Sequence, residues 1–287
     1  MTPDAMPPLL FCPQRRALAR DRAHARFSAH DFLYRHMFDG LLERLGDVTR
    51  TFAHALVIGC PDTSARSALE KQGLEVICVD PAARNAALAG GIQAEEDALP
   101  FAENSFDLVL ACGTLDTVND LPGALMLIRR ALKPDGLFLG ACIGAGSLPR
   151  LRQALFIAEG DSPRPHIHPQ IDVRAAGDLL ARAGFALPVA DSETLRVRYS
   201  AILTLMQDLR GMGGGNIMTA ARRGPLNRAV LARAAEHFAQ AADPDGKTAE
   251  TFSMLYMSGW KPDPSQPAPA RRGSAKVSLA EALGAKG

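Results

Sequence analysis

The chain has 287 residues, 47% of them hydrophobic and 22% charged, an ordinary globular composition with enough apolar material for one large core. Its 32 lysines and arginines balance 31 acidic residues, which leaves no global field to hold nucleic acid or anionic lipid, so any partner is recognised locally. No run reaches the ~18–20 consecutive apolar residues of a membrane span, no apolar signal-peptide region opens the chain, and the cysteines form no CxxC pair; a cytoplasmic protein using Cys60, Cys78, Cys112 and Cys142 as small core hydrophobes is expected.

Residues 14–26, QRRALARDRAHAR, combine high helix propensity with arginines at 15, 16, 20, 22 and 26. The segment reads as a solvated basic helix face, with a docking role left open. DFLYRHMFDGLLERL (31–45) continues at helical spacing, so 1–50 is expected to be an N-terminal helical extension. From 55 onward short aliphatic runs alternate with helical segments: ALVIG, TSARSALEKQG, EVICVD, PAARNAALAGG, IQAEED, FDLVLACG, LPGALMLIRRALKPDG and LFLGACIG. That alternation predicts βαβ units and hence an α/β fold with a doubly wound, mostly parallel sheet covered by helices on both faces. Val57, Ile58, Val76, Ile77, Leu108, Val109, Phe138 and Leu139 are its expected buried strand residues. Beyond Gly146 come two helical patterns, a strand at about 186–198, a helical insertion at about 200–245, and a late strand at 251–261. The main domain therefore covers 51–261, and the proline-rich remainder, 262–287, is expected to form an extended tail.

In such sheets ligands sit outside the carboxyl ends of the strands, where strand order reverses. Gly59 follows the first strand at the position that lets the backbone approach a ligand, but Pro61 and Thr63 stand where further glycines are usual. Asp80 ends the second strand, where it can accept from both ribose hydroxyls of a nucleoside or cap the helix that Pro81 opens. His166 and His168 lack acidic or cysteine neighbours in sequence, so a substrate contact for His166 is preferred over a metal site. GMGGGN follows a helix and reads as a C-terminal cap and loop, not a phosphate cradle. Tyr199 is a core or pocket-wall residue, with a substrate contact as its functional reading.

The order of VICVDPA and EEDALPFAENSFDLVLACGTLDTVNDLPGALMLIRRALKPDGLFLGA resembles the class I S-adenosylmethionine-dependent methyltransferases. LMQDLRGMGGGN, PHIHP and especially GWKPDPSQPAPARRGSA are similar to one branch of them, that of the mitochondrial complex I assembly factor linked to protein arginine hydroxylation and its bacterial relatives. The resemblance implies a seven-stranded Rossmann-like sheet with the late strand antiparallel, and an N-terminal segment that acts as a lid. It also implies a site for S-adenosylmethionine made by Gly59, Asp80, Glu95, Ala98, Leu99, Cys112 and Gly113. Asp116 is the carboxylate placed to serve as a base, and no metal is assigned. Pro61 and Thr63 are expected to weaken or abolish cofactor binding by removing donors near its carboxylate end. The implied activity is methyl transfer to a protein partner, such as a complex I subunit. Protein arginine hydroxylation and a non-catalytic assembly platform remain alternatives, and no two-histidine-one-carboxylate set is visible for the former.

Overall fold

The computed structural model describes residues 8–161, 163–221 and 226–266. Helix α1 (Pro13–Ala23) runs into a 3-10 turn (His24–Ala29) and is followed by α2 (Phe32–Gly46). The alternating part comprises β1 (His54–Ile58), α3 (Ser64–Glu70), β2 (Glu75–Asp80), α4 (Ala83–Leu88), β3 (Ile92–Gln93), β4 (Phe106–Cys112), α5 (Leu121–Ala131) and β5 (Leu132–Ile143). Then come α6 (Pro149–Glu159), α7 (Val173–Arg182), β6 (Ala186–Tyr199), α8 (Ile202–Gly211), α9 (Arg228–Gln240) and β7 (Thr248–Trp260). All seven strands form one sheet in the order β3-β2-β1-β4-β5-β7-β6. The pairs from β3 to β5 are parallel, and β7 runs antiparallel to both β5 and β6. Chain order reverses between β1 and β4, so the crevice that ligands use in such sheets opens at their carboxyl ends.

Each strand's pleat sends alternate side chains to opposite layers. Ala55 and Val57 join Leu108 and Leu110 beneath α2 and α3, while Leu56, Ile58 and Val109 pack under α5 and α7. Helix α2 is part of the first layer, since Leu41 is fully buried there and Gly40 lets the helix approach Tyr256 of β7 so closely that a Cβ would strike its ring. A third apolar cluster joins Leu151, Leu155, Ile202, Leu205 and Phe238 of α6, α8 and α9 to Phe252 of β7.

Three details differ from the sequence reading. Ile77 is 41% exposed, because β2 lies next to the sheet edge and β3 contributes only two residues beyond it. The run IQAEED is a strand only at Ile92–Gln93; the chain then turns into a 3-10 helix (Glu96–Ala98) that points Glu96 inward. Helix α5 stops at Ala131 instead of continuing through KPDG, since Pro134 disfavours helix before it and Asp135 takes a positive φ of 58°.

Among the described residues strand β6 forms the open edge, paired to β7 alone, with a register shift between Ala186 and Val189. The segment after β7 is fastened to the body: Lys261 Nζ donates to the carbonyls of Leu132 (2.7 Å) and Arg130 (3.2 Å) and to Asn104 Oδ1 (2.8 Å), and Gln266 donates to Asp135 Oδ1 (2.8 Å). The rest of the expected tail, 267–287, lies outside the described residues. Lys261→Ala removes a donor from the Arg130 and Leu132 carbonyls where α5 passes into β5. The expected cost of roughly 1 kcal/mol lowers the thermal midpoint by about 2–4 °C with an unchanged far-ultraviolet spectrum. A midpoint equal to that of the native chain would show that the anchor contributes nothing.

Candidate active site

Three strand ends meet at the switch point. Gly59, just after β1, has φ +85°, and a side chain there would run into the carbonyl of Cys112 at the end of β4. Its N–H donates to the Val79 carbonyl (2.8 Å), and its own carbonyl accepts from the Tyr34 hydroxyl (3.1 Å). The glycine is thus required by contact between neighbouring strands. In the turn that follows, Thr63 has φ −86° and needs no glycine-like freedom, and Asp62 Oδ1 accepts from the Ser64 N–H (2.8 Å), which holds the turn together.

Asp80, at the end of β2, is fully buried. Its Oδ1 accepts from the Ala82 N–H (2.8 Å), and its Oδ2 accepts from the Cys60 N–H (3.0 Å). Both oxygens also face Arg20 of α1, Nε at 3.1 Å from Oδ1 and an NH2 nitrogen at 2.5 Å from Oδ2. Arg16, one turn earlier, forks onto Glu96 with distances of 2.6 and 2.8 Å, donates to Glu95 Oε2 (2.6 Å), and reaches the Thr114 carbonyl (2.9 Å). Burial opposes the charge of Arg16, but Glu96 and Glu95 outweigh it and raise its pKa; Arg20 is raised in the same way against burial by Asp80. Burial also moves Glu95 upward, with Arg16 pulling the other way.

A cavity of about 110 Å³ lies beside this cluster, lined among others by Arg16, Arg20, Tyr34, Gly113, Asp116 and His168. Gly113 contributes its carbonyl, 3.4 Å from Arg20, and Cys112 lies buried behind it. Burial lifts the Asp116 carboxyl to about 6. His168 is held down to about 4 by burial, and its Nε2 accepts from the Ile217 N–H (3.2 Å), so the ring is neutral with its proton on Nδ1.

Gly59, Asp80, Glu95, Cys112, Gly113 and Asp116 are therefore brought to one region. Ala98 is exposed, and Leu99 packs into the α5 layer away from the cavity. His166 is directed elsewhere, paired with Glu159 at 2.8 Å in a neighbouring groove, and its neighbour but one, His168, lines the cleft in its place. Tyr199 is buried in the helical cluster of α6, α8 and α9. Sequence reading missed Arg16, Arg20 and Glu96. The available signal was the four-residue spacing of the two arginines, which puts them on one helix face.

The residue types that hold a nucleoside in this fold are in place, but the space is not. A pocket for a ligand of that size measures about 300 Å³ or more, well above the cavity here, and the Asp80 oxygens already carry donors. In this arrangement the site does not fit S-adenosylmethionine.

Residues 56–140 match the family described as a methyltransferase domain. The chain is 38% identical over 265 residues to the protein named arginine-hydroxylase NDUFAF5, mitochondrial, of Danio rerio, with 88% of this chain and 83% of that one covered. It is 31% identical over 260 residues to the malonyl-[acyl-carrier protein] O-methyltransferase of Methylovorus sp. (strain MP688), covering 84% and 86%. Among solved structures, the YcgJ protein from Bacillus subtilis superposes with a TM-score of 0.53 at 18% identity, over 79% of this chain and 99% of that one, a likeness of fold alone.

Asp116 carries a pH-dependent cost. Its pKa is near 6 when folded and about 3.9 unfolded, so the folded state holds the extra proton between these values. Its contribution to stability is complete below the unfolded pKa and is lost as pH rises through about 6. Asp116→Asn is therefore expected to raise the melting temperature relative to the native chain at pH 7.5 and to leave a smaller difference at pH 4; melts with the same difference at both pH values would refute this.

Proposed function

Because this chain belongs to the class I methyltransferase superfamily, on the branch of the arginine-hydroxylase NDUFAF5, we propose that its switch-point cleft binds S-adenosylmethionine or its demethylated product weakly and that it acts on a protein partner. The observation that carries this reading is Asp80, a buried carboxylate at the end of β2 whose oxygens pair with Arg20, itself on the wall of the cleft beside Gly113. The resemblance of the branch to the complex I assembly factor makes a subunit of respiratory complex I the proposed partner. Of the described residues, none belongs to a helix long and apolar enough to cross a membrane. Asp116, on the cavity wall and half-protonated near pH 6, is the residue proposed to accept a proton from the partner's side chain. Hydroxylation of an arginine side chain is the second reading, supported by the naming of its relatives as arginine-hydroxylases.

Titration calorimetry with S-adenosylhomocysteine tests the main reading. The native chain is expected to bind in the high-micromolar to millimolar range, and Asp80→Asn to abolish binding, since the amide supplies only one acceptor oxygen where the carboxylate has two. Absence of binding at millimolar ligand by both the native chain and its Arg16→Gln/Arg20→Gln variant would replace this reading by a platform that docks its partner without a cofactor.

A further inference from the structure

The cofactor reading, on which this inference rests, requires Asp80 to accept from ribose hydroxyls. A carboxylate offers about four lone-pair positions. At Asp80 these are taken by the backbone N–H groups of Ala82 and Cys60 and by the two nitrogens of Arg20, with the Asn85 amide at a longer 3.4 Å. No position is left for a hydroxyl while α1 is docked. Arg16 occupies Glu96 and Glu95 in the same manner, and the space beside the pair measures about 110 Å³. We infer that α1 is a built-in plug: Arg16 and Arg20 compete with the cofactor for the cleft and so set its apparent affinity.

The attachment of α1 suits an exchangeable element. Within the helix only Arg16 and Ala23 are buried, and its apolar anchoring is small, adding only the half-buried Ala19 against Phe11, Ile217 and Met218. Leu18 is 46% exposed. Its other ties to the cleft region are hydrogen bonds, from Arg16 to the Thr117 hydroxyl (3.1 Å) and the Thr114 carbonyl (2.9 Å), from Arg20 to the Gly113 carbonyl (3.4 Å) and from the Arg84 N–H to Asp21 (3.0 Å), with His24, just past the helix, on Asn85 (3.1 Å). An ordinary core helix leaves its place only by exposing apolar side chains, whereas α1 leaves by releasing donors that a ligand's hydroxyls replace. Asp80 keeps hydrogen-bond donors on both sides of the exchange. A ligand that binds only the undocked form has an apparent affinity reduced by the fraction of molecules undocked.

A plug and a lid predict opposite responses. A lid closes over its ligand and gains amide protection; a plug is displaced and loses it. Hydrogen exchange on the native full chain with millimolar S-adenosylhomocysteine is expected to speed exchange in residues 13–23. In calorimetry the Arg16→Gln/Arg20→Gln variant is expected to bind the same compound at least tenfold more tightly than the native chain. Slower exchange in 13–23 on ligand addition, or a variant that binds equally or more weakly, overturns the plug and leaves the cofactor reading standing. Failure of both native chain and variant to bind overturns the cofactor reading and the plug with it. The exchange measurement needs only the native chain, so it decides the matter even where the double variant fails to fold.

Discussion

The contact between Arg20 and Asp80 is the constraint around which the amino-terminal third of the molecule is arranged. A fully buried carboxylate is costly unless charge and hydrogen bonds answer it, and Asp80 is answered by two backbone amides and a forked guanidinium. The amides come from the turn after β1 and the turn after β2, so one side chain ties both turns to each other. The guanidinium comes from far earlier in the chain and fixes where α1 lies. Arg16 then finds Glu96, which has turned inward and is equally buried. Two ion pairs on successive turns of one helix thereby close the carboxyl ends of the central strands.

Much of the layered fold was legible because buried parallel strands are near-continuous aliphatic runs and the intervening helices show their own period. Asp80 and Gly59 could be placed in the cleft for the same reason: each ends a run whose strand identity is unambiguous. The arginines could not. Arg16 and Arg20 share one face of α1, but Arg15 and Arg22 lie on the other, so the segment has no apolar stripe to announce which side is buried. A helix that docks by charge has the sequence pattern of a solvated one. His166 illustrates a finer limit, since one residue separates it from the histidine that does line the cleft, and Pro165 and Pro169 around them leave no period from which to choose.

The most distinctive part of the chain, GWKPDPSQ, has a mechanical explanation in the structure. Lys261 meets the Arg130 and Leu132 carbonyls where α5 passes into β5, Asp263 Oδ1 accepts from the Ser265 N–H (2.8 Å), and Gln266 reaches Asp135 near the start of β5. Each of these contacts is made by a polar side-chain tip. Composition reveals none of them, because they depend on β7 lying antiparallel beside β5 and delivering Lys261 to that corner.

Strand β6 has consequences outside the cleft. A strand of fourteen residues paired on one side only exposes a row of backbone donors and acceptors to which another chain can add. Along this border the ladder is broken by the register shift after Ala186, and the charged side chains of Asp191, Glu193 and Arg198 are tied to Arg44, His36 and the Asp243–Asp245 turn. A second strand approaching this border meets a kinked stretch and then fixed charges. Among the described residues the border of β6 is thus a poor template for another strand to extend the sheet.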